Sequence, residues 1–330
     1  MLRWNAAGGG FIKRLAYRQE ALRPAALARA WVTALGPGFV LACLLLYVAV
    51  MGGHILGDAT VYLAAGERLN AGHPLYAISS GDRPVMLQPP FWTVPLVSPP
   101  LIAVAWRPLA LLPDDLGVIV WWAACLTSIL GACAWLLRIR PTIASIGMLV
   151  LGIPIAMEIG EGNVNGLILG GTVVLWLFRD RPWSGIILGL LIGLKGWPIL
   201  LAIWYVGQGH WRTLTIVGLT VVACLATSVV GAGLANNLAY FDVAREVHLS
   251  AFSPSWLLGL PWLWVASAVV GSILVVALRA RPAASFAIAV ATMVFGSPVI
   301  NPNTYALLLA CLASRADVPP SARDHSRPGP

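Results

Sequence analysis

The sequence predicts an all-α, polytopic integral membrane protein, with about ten membrane-spanning segments and helices lying along the outer surface. Three observations carry this. Of 330 residues, 59% are hydrophobic and 10% charged, where a soluble domain carries roughly 25% charged residues. The apolar residues fall in runs close to the ~20 that cross a bilayer core. The 15 Trp suit a chain with two long lipid–water interfaces. The net charge of +8 is not a nucleic-acid signal. Arg3, Lys13, Arg14, Arg18, Arg23 and Arg29 precede the first apolar run, against Glu20 alone. That bias holds an N-terminus in the cytoplasm and touches the headgroups of anionic membrane lipids.

Residues 1–34 are this basic leader, residues 35–314 the membrane domain, and residues 315–330 a Pro- and Ser-rich tail expected to be disordered and cytoplasmic. Leu35–Leu56 is long enough to span and runs from inside to outside, which delivers Asp58 to the outer face. Residues 58–90 form the first outer loop. Asp58–Leu69 reads as a short surface helix with Asp58, Tyr62 and Ala65 on one face. Ala71-Gly72-His73-Pro74 ends it, and Leu75 and Tyr76 dip back into the interface.

Phe91–Ala105 is the second expected span and is broken by Pro95, Pro99 and Pro100. Prolines are tolerated in membrane helices where neighbours satisfy the freed carbonyls. Leu116–Leu137 and Ile143–Met157 follow, then a polar break from Glu158 to Asn165. Gly166–Phe178 precedes Trp183–Val206, which carries Lys195-Gly196-Trp197-Pro198 in its middle. After Leu214–Val230 comes a second amphipathic loop, residues 232–256, with Asn236, Asn237, Asp242, Arg245, Glu246 and His248. Trp256–Leu278, Ala283–Phe295 and Tyr305–Ala313 complete the count, with a break at Ser297–Asn303. This count places both tails inside. It also puts Arg138, Arg140, Arg179 and Arg181 outside, against the positive-inside rule. Either those arginines meet lipid phosphates, or Phe91–Ala105 or Trp183–Val206 re-enters without crossing.

Cys43, Cys125, Cys133, Cys224 and Cys311 all sit in apolar runs without metal-ligand spacing. No metal or cofactor is expected. An enzyme acting on lipid-linked substrates at the outer face needs a base, cations for a phosphate leaving group, and an apolar groove. Asp58 can be the base, although Asp is also a favoured helix N-cap. Arg68, Arg83, Lys195, Arg245 and His248 are the phosphate candidates. Against them stand plainer readings: Arg68 as a solvated face residue, His248 as an interfacial histidine, and Glu158 and Glu161 as loop residues. Lys195 is harder to dismiss, because a mid-span lysine is costly and normally faces a cavity or a partner.

Asp58-x3-Tyr62, Gly72-x-Pro74-Leu75-Tyr76, the Pro89-Pro90 pair and Leu112-Pro113 stand in a telling order. Gly162-x-x-Asn165, Gly185-Ile186-Ile187-Leu188-Gly189 leading to Lys195-x-x-Pro198, and Ser297-Pro298 follow. Together they resemble glycosyltransferase family 87. The resemblance implies a GT-C-like helical bundle and a polyprenyl-phosphate-mannose-dependent mannosyltransferase, working on the exoplasmic side of the cell membrane. It casts Asp58 as the base. Arg68, Arg83 or Lys195 would balance the charge of the phosphate on the polyprenyl-phosphate sugar donor. Tyr62, Tyr76, Gln88, His248, Asn301 and Asn303 are the further expected substrate contacts. Gln88 stands where the family often has tyrosine, and Asn301 and Asn303 where a histidine commonly follows Ser-Pro. The acceptor is expected to be a lipid-linked or cell-envelope glycan. Two rivals are a transporter or flippase of lipid-linked sugars, which favours internal repeats that are not evident here, and a catalytically degenerate scaffold of the same fold.

Overall fold

The structure, a computed structural model, describes residues 8–52, 55–84, 95–113, 115–246 and 252–314. Gln88, His248 and the 315–330 tail lie outside the described residues. Every regular element among the described residues is helical.

The first helix, α1, runs from Gly8 to Met51, so much of the basic leader continues the membrane helix, whose apolar part is Ala30–Met51. α2 (Gly57–Ala71) ends where the Gly-Pro pair predicts. Gly72 takes the left-handed conformation, φ 74°, and the His73 N–H donates to the Arg68 carbonyl, an arrangement that glycine favours at helix ends. Next come α3 (Pro100–Trp106), a 3-10 turn at Leu109–Leu111 and α4 (Leu116–Ile139).

The expected Ile143–Met157 span is two helices, α5 (Pro141–Val150) and α6 (Gly152–Glu161), bent by 72°. Pro154 explains the bend: its ring clashes with the carbonyl four residues back, that of Val150, and it offers no N–H to that turn. α7 (Asn165–Leu177) and α8 (Ser184–Lys195) follow. The expected Trp183–Val206 span is likewise divided. α8 stops at Gly196, φ 63°, and the chain resumes as a 3-10 helix, Trp197–Leu201, and α9 (Ala202–Gly207). α10 (Trp211–Ala232) and α11 (Leu234–Glu246) come next. The Trp256–Leu278 expectation also splits, into α12 (Pro254–Leu257) and α13 (Leu263–Ala277), at Gly259 and Pro261. α14 (Pro282–Phe295) and a 3-10 helix, Pro302–Ala313, close the bundle. Among the described residues, Ala30–Met51, α4 and α10 are long and apolar enough to cross a membrane alone, and the bent α5–α6 pair can form a fourth crossing.

Small residues let the helices approach, as they must in lipid, where apolar burial alone does not drive helices together. Gly185, Gly189 and Gly193 form a stripe on α8. A Cβ at these positions would lie 2.4 Å from the Thr213 carbonyl oxygen, 2.5 Å from Thr220 Cβ and 2.9 Å from Cys224 Cβ, all on α10. Gly152 and Gly160 on α6 meet Phe39 and Tyr47 of α1 in the same way.

The bundle has two chemically different ends. At one, the Trp121 and Trp122 indoles near the start of α4 donate to the Gly162 and Ile159 carbonyls at the end of α6. At the other, His210 pairs with the Arg179 carbonyl, Gln208 donates to the Arg279 carbonyl and the Trp204 indole donates to the Pro282 carbonyl. α4 leads from the first end to Arg138 and Arg140 at the second. The segment between α2 and α4 does not change ends. Tyr76 donates to the Ser98 carbonyl before α3, and Arg107 bonds Asn70 after it. The Phe91–Ala105 expectation is therefore corrected: the described part enters and leaves at the same end, because the seven-residue α3 reaches only about 10 Å.

Candidate active site

Four helix ends meet at the Trp121–Trp122 end of the bundle. The first is the start of α2. Leu56, just before it, has φ 62° and ψ 32°, a left-handed conformation that costs a non-glycine residue about 1–3 kcal/mol. Its N–H donates to the Gly160 carbonyl at 2.6 Å. Gly57 lies flat against Glu161, whose Oε2 would sit 2.7 Å from a Cβ there, and Glu161 in turn accepts from the Tyr47 hydroxyl of α1. These contacts fix where α2 begins and hence where Asp58 points. Asp58 is not the N-cap; Leu56 holds that position, without any side-chain cap bond. Asp58 sits in the first turn of α2, where a carboxylate is favoured by the helix dipole.

The second and third ends are those of α6 and α7. Gly162 ends α6 in the left-handed conformation, and the two tryptophan indoles satisfy carbonyls that the helix leaves open. Asn163 and Asn165 then open α7. The Asn165 N–H donates to Asn163 Oδ1 at 2.9 Å, and Asn163 Nδ2 donates to Asp58 Oδ2 at 2.6 Å. The fourth end is that of α8, whose last residue is Lys195. Its Nζ donates to Asn165 Oδ1 at 2.9 Å and to Asn163 Oδ1 at 3.2 Å, and it lies 5.7 Å from the Trp197 ring centroid. Behind this layer, Glu158 of α6 accepts from Asn165 Nδ2 at 3.3 Å.

Asp58 and Lys195 are half-buried, whereas Asn163, Asn165 and Glu158 are buried. An acid and an amine thus face an accessible side, bridged by an amide and backed by a second amide and a second acid. Burial pushes the Asp58 carboxyl above the ordinary carboxylate range, against the opposing pull of the Asn163 hydrogen bond and the Lys195 charge.

Other expected site residues lie elsewhere. Tyr62 is buried against Trp106 and Trp121, with ring centroids 6.3 and 5.9 Å away. The Tyr76 hydroxyl donates to the Ser98 carbonyl at 2.9 Å, and its ring is 6.2 Å from that of Tyr240. Arg68 is not a solvated face residue: it is 2% exposed, and its Nε donates to Asp82 Oδ2 at 3.0 Å. Its two terminal nitrogens have no hydrogen-bond partner among the described residues. Arg68 lies ten residues further along α2 than Asp58, roughly 15 Å. Arg83 is committed to Glu67 and Asp115, and Arg245 lies 3.7 Å from Asp242. Asn301 caps the last 3-10 helix through a reciprocal pair of bonds with Thr304. Asn303 is buried, its Oδ1 unpartnered among the described residues.

Of the expected charged residues the structure joins Asp58 to Lys195, and leaves Arg68 and Arg83 apart from them. Asn163 is not among the expected site residues, and the sequence reading sets Glu158 aside as a loop residue. Glu158 and Glu161, read there as loop residues, belong to helix α6 and face Asn165 and Tyr47. The one signal for them was the density of polar side chains in a Gly-rich break between two apolar runs. Among the described residues no group of His, Cys, Asp and Glu is placed to hold a metal ion.

A helical membrane protein whose shorter helices end on one acid–amide–amine cluster is the class that this fold and site define. The particular family follows from comparison. The model of glycosyltransferase family 87 matches residues 97–302, and the chain belongs to that family. The match contains Glu158, Asn163, Asn165 and Lys195, and begins after Asp58. Two relatives carry the name polyprenol-phosphate-mannose-dependent alpha-(1-2)-phosphatidylinositol pentamannoside mannosyltransferase. The one from Mycobacterium tuberculosis is 29% identical over 192 residues, 55% of this chain and 42% of the relative. The one from Mycolicibacterium smegmatis is 26% identical over 185 residues, 53% of this chain and 44% of the relative. The chain therefore spans less than half the length of each relative. No solved structure matches it.

Proposed function

We propose that the protein is an inverting glycosyltransferase that moves mannose from a polyprenyl-phosphate donor to a lipid-anchored glycan. The observation that carries this reading is the pairing of half-buried Asp58 with half-buried Lys195 through the Asn163 amide. Asn163 holds Asp58 Oδ2, so Oδ1 takes the proton of the acceptor hydroxyl. The acceptor oxygen attacks the anomeric carbon, the bond from that carbon to the phosphate oxygen breaks, and the electron pair leaves with the phosphate. Lys195 uses two of its three N–H donors on asparagine oxygens; the third meets the charge that develops on the phosphate. Inversion is the outcome expected of a single base. A retaining mechanism needs a second carboxylate free to act as nucleophile, whereas Glu158 is buried behind Asn165 and Glu161 is engaged by the Tyr47 hydroxyl.

Both family membership and the names of the two mycobacterial relatives support the donor class and mannose, and those names favour a phosphatidylinositol-linked mannoside as acceptor. Charge supports an outward-facing site. Arg138, Arg140, Arg179, Arg181, Arg212, Arg279 and Arg281 lie toward the end remote from Asp58, with Asp180 as acidic company, and arginines mark the cytoplasmic end. The test is transfer by purified full-length protein in lipid nanodiscs, given synthetic polyprenyl-phosphate mannose and a phosphatidylinositol mannoside. Wild type is expected to form the elongated glycolipid. No product, or product undiminished in Asp58→Asn, overturns the reading.

A further inference from the structure

The mechanism above leaves Glu158 without a role, yet this residue is unusually placed. It is 1% exposed on α6, and its two oxygens are unequally served. Oε2 accepts from Asn165 Nδ2, while Oε1 is buried with no hydrogen-bond partner among the described residues. An apolar side chain of similar volume would avoid the cost of burying such a group. Besides placing a charge near Lys195, Glu158 does what a leucine cannot: it chooses which way round the Asn165 amide sits. As observed, Asn165 Oδ1 faces Lys195 Nζ at 2.9 Å and Nδ2 faces Glu158. Turned over, the amide would set donor against donor at Lys195 and acceptor against acceptor at Glu158. The choice propagates. The Asn165 N–H and Lys195 both donate to Asn163 Oδ1, so Asn163 presents its Nδ2 to Asp58.

We propose that Glu158 is a positioning residue for the transfer reaction: through the Asn165 amide it holds Lys195 and Asn163 in the arrangement where the amine meets the donor's phosphate and Asp58 meets the acceptor hydroxyl. This rests on the transferase reading above.

The test reverses one hydrogen bond. Asn165→Asp sets an acceptor against Glu158 and is expected to lower kcat by about 10- to 100-fold, by analogy with the loss of a hydrogen-bond partner that orients a metal ligand. KM for both substrates should stay within about twofold. In the double variant Glu158→Gln/Asn165→Asp the amide donates from position 158, and the carboxylate at 165 still accepts from Lys195. Its kcat is expected to return to within about fivefold of wild type. Glu158→Ala should lose kcat as Asn165→Asp does. Unfolding midpoints of all four proteins in detergent are measured alongside. Should Asn165→Asp fail to fold, recovery of folding in the double variant carries the same coupling.

A double variant no better than Asn165→Asp overturns the proposal, as does Glu158→Ala with kcat within about twofold of wild type or with only KM changed. A wild type inactive on polyprenyl-phosphate mannose overturns the transferase reading and this inference with it. An active wild type with a failed swap overturns this inference alone.

Discussion

Asp58 is held by one amide, Asn163, and attracted by one cation, Lys195, and its protonation governs the reaction proposed here. Replacing it with the isosteric amide removes the base and leaves the fold, so Asp58→Asn should lose about 10²–10⁴-fold in kcat with an unchanged unfolding midpoint. A pH profile tests the same residue differently. The base acts only when deprotonated, and burial raises its pKa above the ordinary value of about 3.9. Turnover should therefore fall with acidification through a midpoint above that value. Lys195→Met deletes the charge that draws Asp58 down, so the acid limb should move to still higher pH. An acid limb that stays put in Lys195→Met means that the two groups do not interact. Asp58 and Lys195 were legible in the sequence because charges within or beside apolar runs are costly and call for a purpose. Asn163 and Glu158 were not. Uncharged amides carry no such cost signal, and Glu158 gains its meaning only when the bend at Pro154 and the Gly162 cap bring the end of α6 against the start of α7.

The α2 helix and its following loop show how an element secures that geometry. Asp82 accepts from the Ser79 N–H at 2.7 Å, from Arg68 at 3.0 Å and pairs with His73 at 2.8 Å. Burial alone would raise the Asp82 carboxyl, but these three partners outweigh it and bring it down to about 2. The folded pKa lies below the unfolded value of about 3.9. The contribution to stability is therefore fully present above about pH 5 and is lost as the pH falls toward 2. Asp82→Asn leaves Arg68 buried without its counter-ion, which costs about 3–5 kcal/mol when one partner of a buried pair is removed. The unfolding midpoint in detergent should fall by several degrees and lose its pH dependence between 5 and 2. A midpoint unchanged at neutral pH shows that the pair does not hold the loop. Packing of α8 offers a second check. Gly189→Leu drives a side chain into Thr220, and overpacking of this kind costs about 1–3 kcal/mol, read as a lower midpoint. The end of α2 was legible because Gly72 and Pro74 leave little choice. The breaks at Leu151 and Gly259 were hidden inside continuous apolar runs, where composition does not distinguish one span from two short helices.

For the molecule as a whole, the decisive quantity is which end of the bundle faces the cytoplasm. Hydropathy located the apolar runs but treated each as a crossing, and that put Arg138, Arg140, Arg179 and Arg181 on the outside. The structure removes the conflict by returning the segment around α3 to the end from which it came, held by the Tyr76–Ser98 and Arg107–Asn70 bonds. With one crossing fewer before α4, those arginines fall on the same side as the basic start of α1, as the positive-inside rule requires. The outward-facing site proposed here puts the loop after α2 outside, together with Asp58. Ser80 in that loop is exposed and precedes Gly81, whose φ of 87° makes it a poor site for substitution. Asp180, with a side chain 76% exposed, marks the opposite end. In intact cells Ser80→Cys should react with a membrane-impermeant maleimide, whereas Asp180→Cys should react only after permeabilisation. The native cysteines sit in apolar helices, and the unsubstituted protein sets the background. The converse pattern would place the Asp58–Lys195 pair in the cytoplasm, where the arginines could no longer be reconciled with the membrane. Labelling of both positions from outside would mean that α7 and α8 do not carry the chain across the membrane and back.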